Sequence, residues 1–322
     1  MSERYFERVD YTGDLAKPLA DIASAFDLGE YQTHEPILLG YEDLNARLDT
    51  SDGTFFVKFF LKDRTDAECE RYARVMQAVV DAGINHPAIS RAQGDAIYRP
   101  KGTNLRAVVM EWLESTKDFE QERPSDEELV ELVNQATRIN RLDVKLPEAD
   151  FIYDSWAISN FPKEYKKWRH VLSEEDKALV EPVLADYEAL DVDSLPTAFV
   201  HGDLIRTNVM KTRNGIYVFD FAVSNVYPRV QELAVLLCDM FFDPNSEEET
   251  SRLYGLLLTE YQKHIQLTPD ELKALPVFVR AAHAMHVLGG ARGEDQGDGG
   301  EENDMWWNLG RIGLKMKVYA TK

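Results

Sequence analysis

A segment of eight residues and the short hairpin predicted after it constrain the fold of this 322-residue chain most strongly. The segment, residues 201–208, has the sequence HGDLIRTN, and Asp220 follows it at the end of a later apolar run. Between them stands Asn214-Gly215, a strong signal for a two-residue hairpin turn because both residues tolerate positive φ. The apolar residues on either side are therefore predicted to pair as two strands. Folding of this hairpin would bring Asp220 back beside Asn208.

The polar groups of this region have a definite chemistry. Asp203 can accept a proton from a hydroxyl group, while Asn208 and Asp220 offer the hard oxygen ligands that magnesium prefers. Transfer of a phosphoryl group needs positioned cations and an in-line nucleophile more than it needs covalent chemistry. The motif therefore predicts phosphoryl transfer from a magnesium-bound nucleotide. The alternative is that these residues are surface acids with an Asx turn, although the paired motif with its hairpin is less common than a lone Asp-Gly loop.

A lysine in an apolar strand is the second notable feature. Lys58 lies within a strand predicted over residues 54–60, where a charge is costly unless it points to a site or to water. Both interpretations stay open on this segment alone. A helix predicted over residues 65–81 follows and carries acids in its first turns. Glu68 is the favoured partner for the lysine, and Glu70 is the second choice.

The part of the chain after residue 113 is predicted to be mostly helical. Ser125 and Glu128 have the spacing of a capping box at the start of one helix. Residues 289–304 are rich in glycine and acids, and we predict a mobile loop there.

Composition excludes several classes of function. The net charge of −21 argues against binding to duplex nucleic acid or to an anionic membrane, because both are polyanions. The acids are compatible with a cationic substrate, and they can also simply solvate the surface. Two cysteines support no disulfide framework, the charged N-terminus lacks a signal-peptide core, and no apolar run approaches membrane-spanning length. These features predict a cytoplasmic protein.

Taken together, these motifs resemble the aminoglycoside phosphotransferase superfamily, which includes choline kinases and related homoserine kinases. The resemblance covers nearly the whole chain and rests on Lys58 in its strand, the acid-bearing helix after it, the segment 201–208 and Asp220-Phe221. It implies an α+β, bilobal, protein-kinase-like fold. The small antiparallel-sheet N-lobe would comprise residues 1–112, and the large, mainly helical C-lobe residues 113–322.

The resemblance also implies roles for individual residues. Asp203 would be the catalytic base, and Asn208 and Asp220 would hold Mg²⁺. Lys58 would contact the phosphates of ATP or GTP, with Glu68 as its partner.

Residues around Glu111 and Leu113 would join the lobes and bind adenine through their backbone. The chain departs from the family pattern at Ile205, where many members have a second histidine, and at Glu232, where many have aspartate. The turn at residues 40–45, which would cover the phosphates, also lacks the Gly-x-Gly-x-x-Gly of protein kinases.

The function predicted is ATP-dependent phosphorylation of a hydroxyl on a small molecule such as an aminoglycoside, an amino alcohol or a hydroxy amino acid. The alternative is a pseudokinase-like module that binds nucleotide with little turnover; the base, the metal acid and the lysine that such modules usually lose are all present. A protein kinase is disfavoured because only seven residues separate Asp220 from Pro228, too few for a peptide-binding activation loop.

Overall fold

The computed structural model describes residues 2–38, 43–144, 151–297 and 300–319. These residues form two compact units. The first contains the described residues up to Thr116, and the second contains those from Lys117 onward.

The first unit combines five strands with three helices. In chain order they are α1 (Ser2–Arg8), α2 (Ala16–Ala25), β1 (Tyr31–Ile37), β2 (Leu44–Thr50), β3 (Thr54–Phe59), α3 (Asp66–Asp81), β4 (Ile97–Tyr98) and β5 (Ala107–Glu111). The strand predicted over residues 54–60 is confirmed as β3, which forms a hairpin with β2, and the helix predicted over residues 65–81 is confirmed as α3. Of the predicted phosphate-covering turn, residues 40–42 lie outside the described residues.

A single antiparallel sheet organises this unit, with the strand order β1-β2-β3-β5-β4. Alternate residues of β2, Leu44, Ala46 and Leu48, are fully buried, as expected for a strand with one face on the core. Leu19 and Ile22 of α2 pack into the same core. In the register of the sheet, Lys58 of β3 stands opposite Asn45 of β2.

The second unit is mainly helical, which agrees with the predicted α+β class. Its elements are α4 (Asp126–Ile139), α5 (Phe161–Trp168), α6 (Glu174–Glu188), β6 (Thr197–Val200), β7 (Val209–Thr212), β8 (Gly215–Val218), β9 (Asn225–Pro228), α7 (Val230–Cys238), α8 (Glu247–Gln262), α9 (Pro269–Asp295) and α10 (Glu301–Lys315). Strands β6 and β9 form one antiparallel pair, and β7 and β8 form another. The capping box of Ser125 with Glu128 is confirmed. None of the helices in the described residues is long and apolar enough to cross a membrane.

The glycine-rich segment near the C-terminus is not the predicted loop over most of its length. Helix α9 continues through it to Asp295, and only residues 296–300 separate α9 from α10, with 298–299 outside the described part. A β-carbon at Gly289 would lie 2.0 Å from the Trp156 ring, and one at Gly290 would lie 2.5 Å from the Trp307 side chain. These glycines therefore allow close packing of large side chains against the helix, where the sequence suggested flexibility.

Candidate active site

The HGD loop, residues 201–208, begins with a fully buried histidine directly after strand β6. The Nε2 atom of His201 lies 3.0 Å from the carbonyl oxygen of Phe219, and the backbone N–H of Asp203 donates to Nδ1 at 3.2 Å. This pair of contacts requires the neutral tautomer with its proton on Nε2. Burial lowers the pKa of His201 to about 4, so the neutral ring is maintained near pH 7. His201 thus ties the start of the loop to the end of strand β8.

Asp203 and Asn208 are brought together within the loop. The amide nitrogen of Asn208 donates to the carboxylate of Asp203 at 2.6 Å and to its carbonyl oxygen at 3.0 Å. Burial, with repulsion from the carboxylates of Asp154 and Asp220, raises the pKa of Asp203 to about 7. A carboxylate held in one orientation by a neighbouring amide is suited to accept a proton from a hydroxyl placed against it.

The predicted hairpin forms, although its turn is one residue earlier than the sequence suggested. Thr212 pairs with Gly215, so the two-residue loop is Arg213-Asn214. Gly215 has a φ of +123°, a conformation that favours glycine, and closes the turn as the first residue of β8. The shift arises because only the glycine of the Asn-Gly pair adopts positive φ.

The return of the chain to the HGD loop is confirmed. The backbone N–H of Phe219 donates to the carbonyl oxygen of Asn208 at 3.1 Å, and Asp220 is the next residue. Asp220 has a left-handed backbone with a φ of +67°, which aspartate tolerates better than most residues. The structure therefore places Asn208 and Asp220 on adjoining backbone, while their role as metal ligands stays a prediction.

The donor atoms in this region fit a magnesium ion. Both hydrogen bonds of the Asn208 amide nitrogen go to Asp203, so the amide oxygen lies on the opposite side of the planar group. Together with the carboxylate of Asp220 it supplies hard oxygen ligands. No cluster of three or more His, Cys, Asp or Glu side chains suited to a metal occurs among the described residues. A pair of protein ligands matches magnesium that arrives with phosphate oxygens and water, which is its usual mode of binding.

Two buried acids support the HGD loop from helix α7 and the residue after it. The carboxylate of Glu232 accepts from the backbone N–H groups of His201 and Gly202 at 3.1 and 3.0 Å. That of Asp239 accepts from the N–H and the Nε of Arg206, both at 2.8 Å. Burial raises the pKa of Glu232 to about 7, although its two backbone hydrogen bonds act in the opposite direction.

Sequence reasoning missed the role of both acids. It identified Glu232 only as a departure from the family pattern. The available signal was their spacing: Glu232 and Asp239 are the acids of a mostly apolar segment and stand seven residues apart, about two turns of a helix.

In the first unit, Lys58 is buried and paired with an acid that the sequence did not suggest. Its Nζ lies 3.2 Å from a carboxylate oxygen of Asp43, just before β2. The other carboxylate oxygen of Asp43 accepts from the backbone N–H of Leu61 at 2.8 Å and from the Nε of Arg64 at 3.3 Å. The Nζ also lies 5.5 Å from the centre of the Tyr72 ring, within the range of a cation–π contact.

The predicted pairing of Lys58 with Glu68 is corrected by these contacts. The carboxylate of Glu68 accepts from the backbone N–H and the hydroxyl of Thr65 at 2.6 and 2.9 Å. Thr65 in turn accepts from the Glu68 N–H, which completes a capping box at the start of α3. The alternative partner, Glu70, is exposed. Glu68 thus stabilises its own helix.

Glu111 ends strand β5, and Leu113 follows two residues later. The backbone N–H of Glu111 donates to the carbonyl oxygen of Ala88 at 2.8 Å, so this amide is already engaged within the unit. Contact of the backbone near Glu111 and Leu113 with adenine stays a prediction.

Comparison with known proteins gives consistent matches over most of the chain. The model of the phosphotransferase enzyme family matches residues 33–275. The homoserine kinase of Rhodopseudomonas palustris (strain BisB5) is 26% identical over 295 residues, which cover 86% of this chain and 84% of that protein. The homoserine kinase of Parvibaculum lavamentivorans is 24% identical over 288 residues, covering 86% of this chain and 85% of that protein.

Solved structures with the same fold share less sequence. The amicoumacin kinase hAmiN, in complex with AMP-PNP, Ca²⁺ and Ami, has a TM-score of 0.72 at 14% identity and covers 100% of this chain and 98% of that one. The microcompartment-associated aminopropanol kinase has a TM-score of 0.70 at 13% identity and covers 92% of this chain and 94% of that one. The spectinomycin phosphotransferase in complex with ADP and spectinomycin has a TM-score of 0.69 at 12% identity and covers 95% of this chain and 100% of that one. These likenesses confirm the α+β, protein-kinase-like fold class.

Proposed function

We propose that this chain, which belongs to the phosphotransferase enzyme family, transfers the γ-phosphoryl group of ATP to a hydroxyl group of a small molecule. As a family member it is a small-molecule O-phosphotransferase, and what we add is the assignment of roles and of an acceptor class. Use of GTP in place of ATP is an outcome that the same assays would reveal.

The observation that carries the proposal is the arrangement of Asp203, Asn208 and Asp220. The hydrogen bonds of the Asn208 amide orient the carboxylate of Asp203, and the backbone contact of Phe219 with Asn208 brings Asp220 alongside. A base and two oxygen ligands are thereby gathered on adjoining backbone. This is the set of groups that phosphoryl transfer requires from the protein.

Each of these groups has a distinct role in the proposal. Asp203 accepts the proton of the acceptor hydroxyl as its oxygen attacks the γ-phosphorus, and Asn208 and Asp220 would hold the magnesium ion. When bound, that ion would neutralise charge on the phosphates. Lys58, in the first unit, binds phosphate oxygens. Glu232 and Asp239 keep the HGD loop in shape by accepting from its backbone N–H groups.

For the acceptor we propose a compound that carries an amine as well as a hydroxyl. Two observations support this class. The relatives named above act on homoserine, and one solved structure of the same fold is an aminopropanol kinase. In addition, repulsion from the carboxylate of Asp154 contributes to the raised pKa of Asp203, so a negative charge lies near the base and favours a nearby ammonium group. A hydroxy amino acid is the first class to test.

A coupled assay of ADP release with purified protein tests the proposal. The acceptors would be L-homoserine, 1-amino-2-propanol, choline and an aminoglycoside, each with magnesium and ATP or GTP. We expect at least one amine-bearing acceptor to increase ADP release well above the rate without acceptor, and chelation of magnesium to abolish the increase. If none of them raises ADP release above that of Asp203→Asn while nucleotide still binds, the pseudokinase-like alternative would replace the proposal.

A further inference from the structure

We propose that Asp43, and not an acid of helix α3, is the positioning residue for Lys58. This inference rests on the proposed function, because Lys58 acts on phosphate only if the chain transfers it. Asp43 would hold the ammonium group in place, and with it the guanidinium of Arg64, so that both cations are presented to an anionic phosphate chain.

The geometry of the sheet explains why Asp43 reaches the lysine. Lys58 stands opposite Asn45 in the pairing of β2 with β3. Side chains two residues apart on a strand point to the same face, so Asp43 is the diagonal neighbour of Lys58 on that face. The 3.2 Å contact of the Lys58 Nζ with the Asp43 carboxylate is the result.

Asp43 is itself fixed by contacts at the end of β3. The backbone N–H of Leu61 donates to it at 2.8 Å, and Arg64 donates from the same connection. The guanidinium of Arg106 donates to the carbonyl oxygens of Leu61 and Lys62 at 2.9 and 3.0 Å and also to that of Arg64. The carboxylate is therefore held by backbone as well as by side chains, which limits the positions open to Lys58.

Burial makes this contact more consequential than a surface ion pair. The residues Lys58 and Asp43 are only 4% and 6% exposed. A buried ammonium group is stabilised by an anion in contact with it, and removal of the Asp43 carboxylate takes away the contact at 3.2 Å. The same carboxylate is shared by Lys58 and Arg64, so Asp43 orders two cationic side chains at once.

Two acids of α3 have other contacts, and a third, Glu70, is exposed. Glu68 completes the capping box with Thr65, and Asp66 pairs with the guanidinium groups of Arg99 and Arg106. Asp43 contacts Lys58, while Glu68 caps α3. A mutation can therefore remove one of these contacts without removing the other.

Steady-state kinetics of matched variants test the inference. Asp43→Asn keeps the shape of the side chain and removes its charge, and Glu68→Gln makes the same change at the rejected partner. We expect Asp43→Asn to lower kcat/KM for ATP by about 10- to 100-fold, the scale of a misplaced catalytic group, with the KM of the acceptor nearly unchanged. We expect Glu68→Gln to stay within about twofold of wild type, since it contacts Thr65 and not the lysine.

A double-mutant cycle distinguishes positioning from a general loss of structure. If Asp43 acts through Lys58, Asp43→Asn combined with Lys58→Ala should be no more than about twofold worse than Lys58→Ala alone. Multiplying losses would overturn the inference. The inference would also be overturned if Glu68→Gln lowered kcat/KM for ATP strongly and Asp43→Asn did not.

Failure of the proposed function gives a different pattern. Titration of each variant with magnesium and AMP-PNP by calorimetry reports nucleotide affinity without any acceptor. If Lys58→Ala binds and turns over nucleotide as wild type does, the role of the lysine itself fails. If Lys58→Ala is impaired and Asp43→Asn is not, only the inference about Asp43 fails. Should Asp43→Asn not fold, Asp43→Ser and the result for Glu68→Gln decide between the two acids.

Discussion

The same kind of sequence reasoning was applied to the HGD loop in the second unit and to the partner of Lys58 in the first unit. The structure brings the residues of the loop together as predicted, whereas it corrects the partner of Lys58. In the loop, the contact that orients the base joins Asn208 with Asp203, five positions apart. At the lysine site the contacts join Lys58 and Arg64 to Asp43, 15 and 21 positions away. Local contacts are determined by motif spacing, whereas distant partners are determined by strand register and by competition among several acids.

Loss of the base is expected to have the largest effect and tests the better-predicted region. Asp203→Asn keeps the hydrogen bond with Asn208 possible but removes the proton acceptor, so turnover should fall by about 100- to 10,000-fold. The affinity for magnesium and AMP-PNP, measured by calorimetry, should change little. Turnover near that of wild type would mean that the loop motif was misread.

Removal of the strand-end acid should have the next largest effect. Asp220→Ala deletes one of two protein ligands, so turnover should fall by about 100-fold or more at ordinary magnesium concentrations. The magnesium concentration needed for half-maximal nucleotide binding should also rise. A variant with an unchanged magnesium requirement would remove Asp220 from the metal site.

Glu232→Gln tests the hydrogen bonds that helix α7 makes with the backbone of the HGD loop. The oxygen of a glutamine can accept from one of the two backbone N–H groups, but its NH₂ group then faces the other. We therefore expect a loss of about 1–3 kcal/mol in the free energy of unfolding. Urea unfolding measures it. The matched variant Glu131→Gln alters an acid of α4 that accepts from the backbone N–H of Ile216 and not from the HGD loop, and it should leave turnover unaffected.

The effect of Glu232→Gln on the free energy of unfolding should depend on pH. Burial raises the folded-state pKa of Glu232 to about 7, above its value in an unfolded chain. The stability it contributes is therefore fully present near pH 4 and is lost as pH rises through 7. The buried ring of His201 stays neutral above about pH 4 in the folded state, and its titration in the unfolded chain is common to both proteins and cancels in their difference. The difference in unfolding free energy between wild type and Glu232→Gln should thus be larger at pH 5 than at pH 8, and a difference that grows toward pH 8 would contradict this.

Thr65→Ala should have the smallest effect and separates the two roles considered for Glu68. Loss of the cap hydroxyl should cost about 1 kcal/mol of stability, within the usual range for such changes. Kinetics with ATP should be unaffected, since the capping box does not touch Lys58. A change in kcat/KM for ATP larger than that in Asp43→Asn would show that the start of α3 matters more to the lysine than the contacts indicate.

Much of the fold could be predicted because its signals are local. The hairpin signal at Asn214-Gly215, the helix over residues 65–81 and the capping box at Ser125 each depend on residues close together in the chain. Glu68 was misassigned although the sequence contained the signal: Thr65 and Glu68 have the same three-residue spacing as Ser125 and Glu128.

Packing explains what could not be predicted. The glycines of α9 indicated a loop because glycine is flexible in isolation. In the structure they lie under the rings of Trp156 and Trp307, and Trp156 is more than 100 positions away in the chain. No local rule connects Gly289 with Trp156, or Asp43 with Lys58, before the register of the elements is known.

Phosphorus NMR of a reaction with magnesium, ATP and the most active acceptor from the ADP assay tests the central claim most directly. We expect a new phosphomonoester resonance that grows in step with ADP in the wild-type reaction and is strongly reduced with Asp203→Asn. Formation of inorganic phosphate without a phosphomonoester, or equal product from both proteins, would contradict phosphoryl transfer to a hydroxyl by this site.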